Sequence, residues 1–578
     1  MTYRRFLRAA CLLALTACLT AAWAVAQTPA SPHHEVRAVW LTTIGGLDWP
    51  SQPATTEAGA RRQQQELCRQ LDALQRAGFN TVLFQTRIRA TTAYPSAIEP
   101  WDEAFSGRPG VAPPYDPLAF AITEAHRRGM ELHAWVVAYP AGKVAAARRL
   151  GAKALPRRRP ELCRRCGDQW MMDPGAPGTA AYIAGLCAEI VRHYDVDGIH
   201  LDYIRYPEKE IAFDDRATYR RYGHGTPRAD WRRANVTRTV KAVHDSVRRL
   251  KPWVKLSCSP VGKHSDLPRY PSYGWNARDA VFQDAQAWLQ EGLMDMLFPM
   301  MYFRGNHFSP FALDWQEAAG GRPVVPGLGT YMLAPGQKDW PLLTLRREMN
   351  FLRRIGSAGQ AHFRARFVLD NVKGVYGFLA NDFYRQPALV PSMTWADSVA
   401  PVMAGLSLRA EGHALHLAWP RATDPTPGSG LSYNVYRLPA DGRFPEGARL
   451  LARALTDTAW SFVPLPPGRH ARYAVTAVDR FGNESRPATA SLYAATPPET
   501  PVTMVDNGRL CLPDADAEYA LITDIAGRAL CTFRYDTLLV LPRLAPGYYE
   551  VRTLNRKGIS HKVARFCTGF PFAVNGTH

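Results

Sequence analysis

Asp202 and Arg205 close a short apolar run, VDGIHLDYIRYP (196–207), and bring two tyrosines with them. A carboxylate at the end of a buried strand has two uses. It can pair with a cation to hold the fold, or it can face a cleft and do chemistry. Asp202 and Arg205 are three residues apart at a strand end, which is poor geometry for an ion pair and favours the cleft. There, a carboxylate can attack or stabilise the oxocarbenium-like centre of a breaking glycosidic bond, provided a second acid protonates the leaving oxygen. His200, two residues earlier, faces the same side of the strand and is placed to orient the carboxylate or bind a sugar hydroxyl.

Such groups need elements to position them, and the chain shows a regular alternation. Short apolar runs occur at 36–43, 79–87, 130–140, 196–207, 254–262, 295–303, 323–331 and 375–384, with amphipathic segments between them. In RRQQQELCRQLDALQRAG (61–78), Leu67, Leu71 and Leu74 repeat at helical spacing and Gly78 ends the helix. Eight strand–helix units predict an α/β fold, a TIM (β/α)8 barrel over 33–395. A doubly wound sheet is the alternative, but LTTIGGLDWP (41–50) lacks its Gly-rich phosphate loop.

In a barrel, side chains at the C-terminal strand ends converge on one mouth. This filter selects Trp40 from the first run, Gln85 and Arg87 from the second, with Glu99 in the loop beyond, and His133 and Trp135 from the third. His200, Asp202, Arg205 and Tyr206 come from the fourth, Tyr302 from the sixth and Asp382 from the eighth. Asp202, Glu99 and Asp382 are the candidate catalytic carboxylates. The others would bind substrate, because sugar faces stack on aromatic rings and their hydroxyls need fixed polar partners. Asp173, in WMMDPG, is either a substrate contact or the N-cap of a helix over 179–193. No His and carboxylate set has ligand spacing, so neither metal nor organic cofactor is expected.

Beyond Pro401 the texture changes to alternating strands and turns. A fibronectin type III-like sandwich is expected over 400–495, with Trp419 in its core, and a second small β-sandwich over 500–570 that is either a sorting domain or a carbohydrate-associated module. Residues 1–26 read as a signal peptide: Arg4, Arg5 and Arg8, an apolar stretch, then Ala24-Val25-Ala26. Leu15-Thr16-Ala17-Cys18 also resembles a lipobox, which would anchor the chain through Cys18. The expected location is therefore the periplasm, the outer membrane or the cell surface. In that compartment Cys163 and Cys166 suit a disulfide better than a metal. The net charge of +19 is compatible with an anionic partner, but no basic run is interleaved with stacking aromatics, so nucleic acid is not expected.

EVRAVWLTTIGGLDWP, the FQTR…YPSAIEPW block, YDPLAFAITEAHRRGMELHAW, MDPG, VDGIHLDYIRYP, WLQEGLMDMLFPMMYF and GVYGFL resemble, in that order, the YngK/DigH-type glycosyl-hydrolase-like family. The resemblance implies a TIM barrel that cleaves peptidoglycan glycan strands, notably ones stripped of stem peptides. Arg87, Arg205 or Arg304 would then meet the lactyl carboxylate of N-acetylmuramic acid. VDGIHLDYIRYP is also similar to the fourth strand of chitinases, where Asp202 would polarise the substrate acetamide. The chitinase acid would fall at Ile204, which cannot donate a proton, so the acid is sought among Glu99, Asp382 and Asp173. A glycan-binding protein on a barrel scaffold is the alternative to a hydrolase.

Overall fold

The computed structural model describes residues 31–568, except 209–210, 273–274, 412–413, 427–429, 440–441, 463–469, 494–502, 506–508, 512–516, 525, 535–537, 541–543, 545–546 and 556–559. The expected signal peptide and Cys18 lie outside the described residues. The first element is β1 (Val36–Leu41), followed by β2 (Thr81–Arg87), β3 (Glu131–Val137), β4 (Gly198–Asp202) and β5 (Lys255–Cys258). Next come β6 (Met296–Leu297), β7 (Met300–Met301), β8 (Gly327–Leu328) and β9 (Gly359–His362). All pair in parallel, in the order β7-β8-β9-β1-β2-β3-β4-β5-β6. The two ends of that order, β6 and β7, are halves of one stave split by Phe298 and Pro299. The sheet therefore closes on itself as an eight-staved barrel.

Strand alternation sorts the side chains. Odd positions of β3 and even positions of β4 point into the lumen, and the register sets them in layers. His133 lies beside Gly198, Trp135 beside His200, and Val137 beside Asp202. Gly198 is required at its place, because a Cβ there would meet the His133 ring at 2.5 Å. Val36, Ala38, Trp40, Leu83, Trp135, Val137, Met296 and Phe298 fill the lumen, while the larger apolar cluster lies between sheet and helices. The first helix, α1 (Glu57–Arg76), starts at Thr56, whose hydroxyl accepts from the Gly59 N–H, and buries Leu67, Leu71 and Leu74. Gly78, at φ +88°, ends the turn that feeds β2.

The eighth strand is not where its apolar pattern placed it. Residues 375–383 are helical, with a π-helical turn at Leu379–Phe383. Val375, Phe378, Leu379 and Phe383 are buried at helical rather than alternating spacing. The closing strand is GQAH (β9), whose buried polar groups have local partners. Gln360 meets the Tyr384 hydroxyl at 3.0 Å, and His362 meets Thr330 at 2.9 Å.

After the barrel, one three-stranded antiparallel sheet (Ser407–Glu411, Ala414–Ala418, Ala459–Phe462) accompanies a four-stranded one. Trp419 is buried there against Tyr433. These sheets hold the barrel by its underside. The Arg453 guanidinium donates to the carbonyls of Phe79, at the foot of β2, and Ala388. Arg480 forms a forked ion pair with Asp195, which precedes β4. The C-terminal unit, from Tyr493 onward, is built from a further three-stranded and a further four-stranded antiparallel sheet.

Cys163 and Cys166 do not form the expected disulfide. They sit three residues apart on one short strand, so their side chains leave opposite faces, and both thiols are free and buried.

Candidate active site

Asp202 is the last residue of β4 and tops the lumen, with 5% of its surface exposed. Its Oδ2 accepts the Trp135 indole N–H at 3.1 Å, and its Oδ1 accepts the Tyr203 backbone N–H at 2.7 Å. Burial pushes the carboxyl above the ordinary aspartate range, against the pull of Ser259, the Arg205 guanidinium and these two N–H donors. The chain then turns sharply. Tyr203 takes a left-handed φ of +50°, a conformation unusual for a side chain of its bulk.

That turn throws an aromatic and cationic group around the mouth. Arg205 lies between two rings, its guanidinium 4.7 Å from the Tyr203 centroid and 5.4 Å from that of Trp275. Its Nη2 donates to Glu208 at 2.8 Å. Trp275 is 40% exposed, unusual for so large an apolar ring and suited to stacking on a sugar. Across the opening, Tyr302 packs against Tyr331 and Phe363. Burial raises its phenol well above the usual range, and Asp202 adds to the effect.

The lower layers do a different job. The His200 Nε2 faces the Trp40 indole N–H at 3.2 Å, and its Nδ1 faces the Ser257 hydroxyl at 3.0 Å. Burial, then His133, drives its pKa well below 6.5, so it is a neutral packing group. Trp40 belongs to the same middle layer. His133 lies deeper still, about 13 Å along the strand from the level of Asp202, counting four residues. It binds Glu131 at 3.0 Å, and Glu131 binds Lys255 at 2.7 Å. None of these three predicted residues reaches the mouth.

Five further expectations are corrected. The Glu99 carboxylate is clasped by Arg87 at 2.7 and 2.8 Å, takes the Tyr182 hydroxyl at 3.1 Å, and both members of the pair are fully buried. The Nη1 group of Arg87 donates to the carbonyls of Val137 and Ala138. This clamp holds the loop after β2 and leaves neither residue for substrate. Asp382 falls in the π-helical turn, exposed beside Arg346 at 3.3 Å, because no strand carries it to the mouth. Asp173 is buried, bound to Gly175 N–H, Thr218 and Arg164, and is not the helix cap either, since that position is Gly178. Tyr206 packs outside the lumen between Phe213 and Phe282. Gln85 stays near the rim, where its side-chain Oε1 accepts the Thr43 and Ile44 N–H groups and so shapes the loop after β1. The structure thus gathers Asp202, Trp135, Arg205 and Tyr302, and adds Tyr203, Glu208, Ser259 and Trp275.

The family described as Glycosyl hydrolase-like 10 matches residues 35–326, which contain every residue of this mouth except Tyr331 and Phe363. The chain belongs to that family. It is 31% identical over 487 residues to Glycosyl hydrolase YngK of Bacillus subtilis (strain 168), covering 79% of this chain and 93% of that protein. It is 34% identical over 287 residues to Glycosyl hydrolase DigH of Escherichia coli (strain K12), covering 46% of this chain and 65% of that protein. Among solved structures, the glycoside hydrolase domain of PgaB (BpsB) from Bordetella bronchiseptica superposes with a TM-score of 0.42 at 12% identity, over 60% of this chain and 98% of that domain.

For a glycosyl hydrolase-like 10 enzyme, the additional residues carry a faint sequence signal. Glu208 lies in YPEKE, directly after the strand-end motif, and Trp275 lies in a long loop after β5. Arg89, in the loop after β2, is half-buried near Tyr203 and has no hydrogen-bond or ion-pair partner among the described residues. It also lines a cavity of about 260 Å³ formed by the loops after β1, β2 and β3, with Ile88, Trp101, Lys143 and Leu155 among its walls.

Proposed function

We propose that this enzyme is exported and cleaves glycosidic bonds in the glycan of the bacterial cell wall, acting on N-acetylglucosamine/N-acetylmuramic acid strands that have lost their stem peptides. The observation that carries the reading is the setting of Asp202: a buried carboxylate at the top of the lumen, oriented by two N–H donors, with Tyr203, Tyr302 and Trp275 about the same opening. In this reading Asp202 stabilises or attacks the positive centre that forms as the bond breaks. Glu208 is the carboxylate assigned to protonate the leaving oxygen, once the substrate's own anion has drawn Arg205 away from it. It is one-third exposed and tethered to the mouth by Arg205. Arg205 and Arg89 offer positive charge for the lactyl carboxylate of N-acetylmuramic acid, in place of the sealed Arg87.

In this reading the flat faces of Trp275 and the Tyr302 cluster stack on the sugar rings of a stripped strand. The test is digestion of purified glycan strands before and after enzymatic removal of their peptides. The stripped polymer is expected to release soluble saccharides, and the peptide-bearing polymer far fewer. Equal release from both would remove the substrate assignment, and no release from either would leave a glycan binder.

A further inference from the structure

The pair His33-His34 precedes β1 and plays no part in the mouth, yet the structure builds a site around it. Leu389 donates its N–H to the His33 carbonyl at 2.9 Å and bridges to His34 in parallel, which fixes both backbones. Glu484 approaches from the turn that follows the sandwich strand His470–Val478. Its Oε1 accepts the Thr476 hydroxyl at 2.6 Å, the Asn434 amide at 3.2 Å and the Tyr436 phenol. Its Oε2 is left facing His33 Nε2 at 3.4 Å. The His33 ring rests on Tyr436, with centroids 5.6 Å apart, and the His34 ring stands edge-on to it at 4.7 Å. One donor atom from each of the three residues lies within 4.8 Å of the others.

We infer that His33, His34 and Glu484 form a site for a divalent transition metal of the zinc class, which ties the chain ahead of β1 to the β-sandwich. Two imidazole nitrogens and one carboxylate oxygen are a zinc donor set, with water as the fourth ligand. Ligands around zinc stand about 3.3 Å apart, from bond lengths of about 2.0–2.1 Å, so small side-chain rotations close the set. The three donors to Oε1 act as the outer shell that aims the carboxylate and leaves Oε2 for the metal. His34 is exposed, so the site is open to exchange with solution. Cleavage of the leader after Ala26 would leave both histidines in place. A simple His33–Glu484 ion pair would explain their contact alone, but it would give His34 no role.

The experiment uses the full chain, stripped with a chelator and dialysed against zinc chloride, with bound zinc and the thermal midpoint as readouts. The parent protein is expected to take up a single equivalent of zinc at micromolar concentration and to melt several degrees higher for it. His34→Ala is expected to weaken zinc binding by about tenfold or more and to abolish the rise in midpoint. Its metal-free midpoint should match the parent, because the His34 imidazole makes no hydrogen bond among the described residues. Glu484→Gln, which keeps an oxygen for Thr476, should lose zinc in the same way. Absence of bound zinc in the parent, or undiminished binding by His34→Ala, would overturn the site.

Discussion

The two ends of the barrel are built on opposite principles. At the bottom, charge is matched and sealed. Glu35 is buried between Arg37 at 2.8 Å and Arg353 at 2.8 Å. Burial alone would raise its pKa, but Arg353 and Arg37 outweigh that and hold it below the ordinary range. Glu131 is held between Lys255 and His133, and the sandwich closes this end with Arg453 and Arg480. At the mouth, Asp202 has a raised pKa, Tyr203 has an uncommon backbone conformation, and Trp275 and Arg89 lack such closure. Matched ion pairs favour stability, whereas a carboxylate held away from its preferred charge state is a resource for chemistry. The difference also locates the sandwich. It grips the underside, so it supports the barrel rather than extending the sugar path at the mouth.

Breaking the bottom should therefore cost stability and spare turnover. Glu131→Gln leaves Lys255 buried without its partner and should destabilise the protein by about 3 kcal/mol, measured by denaturant unfolding, with kcat per folded molecule unchanged. The pH dependence has a defined sign. Glu131 is lowered from 4.5 to about 2 in the folded state, through Lys255 and His133 and against its burial. Its contribution is therefore complete above about pH 4.5 and is lost as the pH falls toward 2, and the Gln variant should lack that part of the acid transition. At the mouth the effects reverse. Glu208→Gln should lower kcat by about 100-fold, as for loss of a general acid, with an unchanged melting midpoint. An unaltered kcat would send the search for the acid elsewhere. Trp275→Ala should raise KM by about fivefold, or roughly 1 kcal/mol, and leave kcat alone, as read from saturation kinetics on soluble glycan fragments.

Much of the barrel was legible because its first seven staves advertise themselves as apolar runs. VRAVWL, TVLFQTR and GIHLD each became strands. The eighth stave was hidden because GQAH satisfies its polar groups through Tyr384 and Thr330, contacts that no local pattern records. That one displacement also removed Asp382 from the site. Glu99 and Arg87 show a second limit. A charged pair near a strand end looks like a substrate clamp in sequence, and only the fully buried, forked geometry reveals a loop anchor. Residue type found Asp202 and its neighbours Trp135 and Arg205. Layer height, which separates Asp202 from His200 and His133 on the same inward files, required the register.

The most direct test replaces Asp202 with Asn and follows two quantities on the same preparation, saccharide release from stripped glycan and the thermal midpoint at neutral pH. The raised pKa means that the ionised carboxylate costs stability above that pKa, so removing the charge should leave the midpoint equal or higher. Release should fall by at least about 100-fold while glycan binding persists. A variant that digests the polymer like the parent, or that loses activity only because it unfolds, would contradict a mouth centred on Asp202.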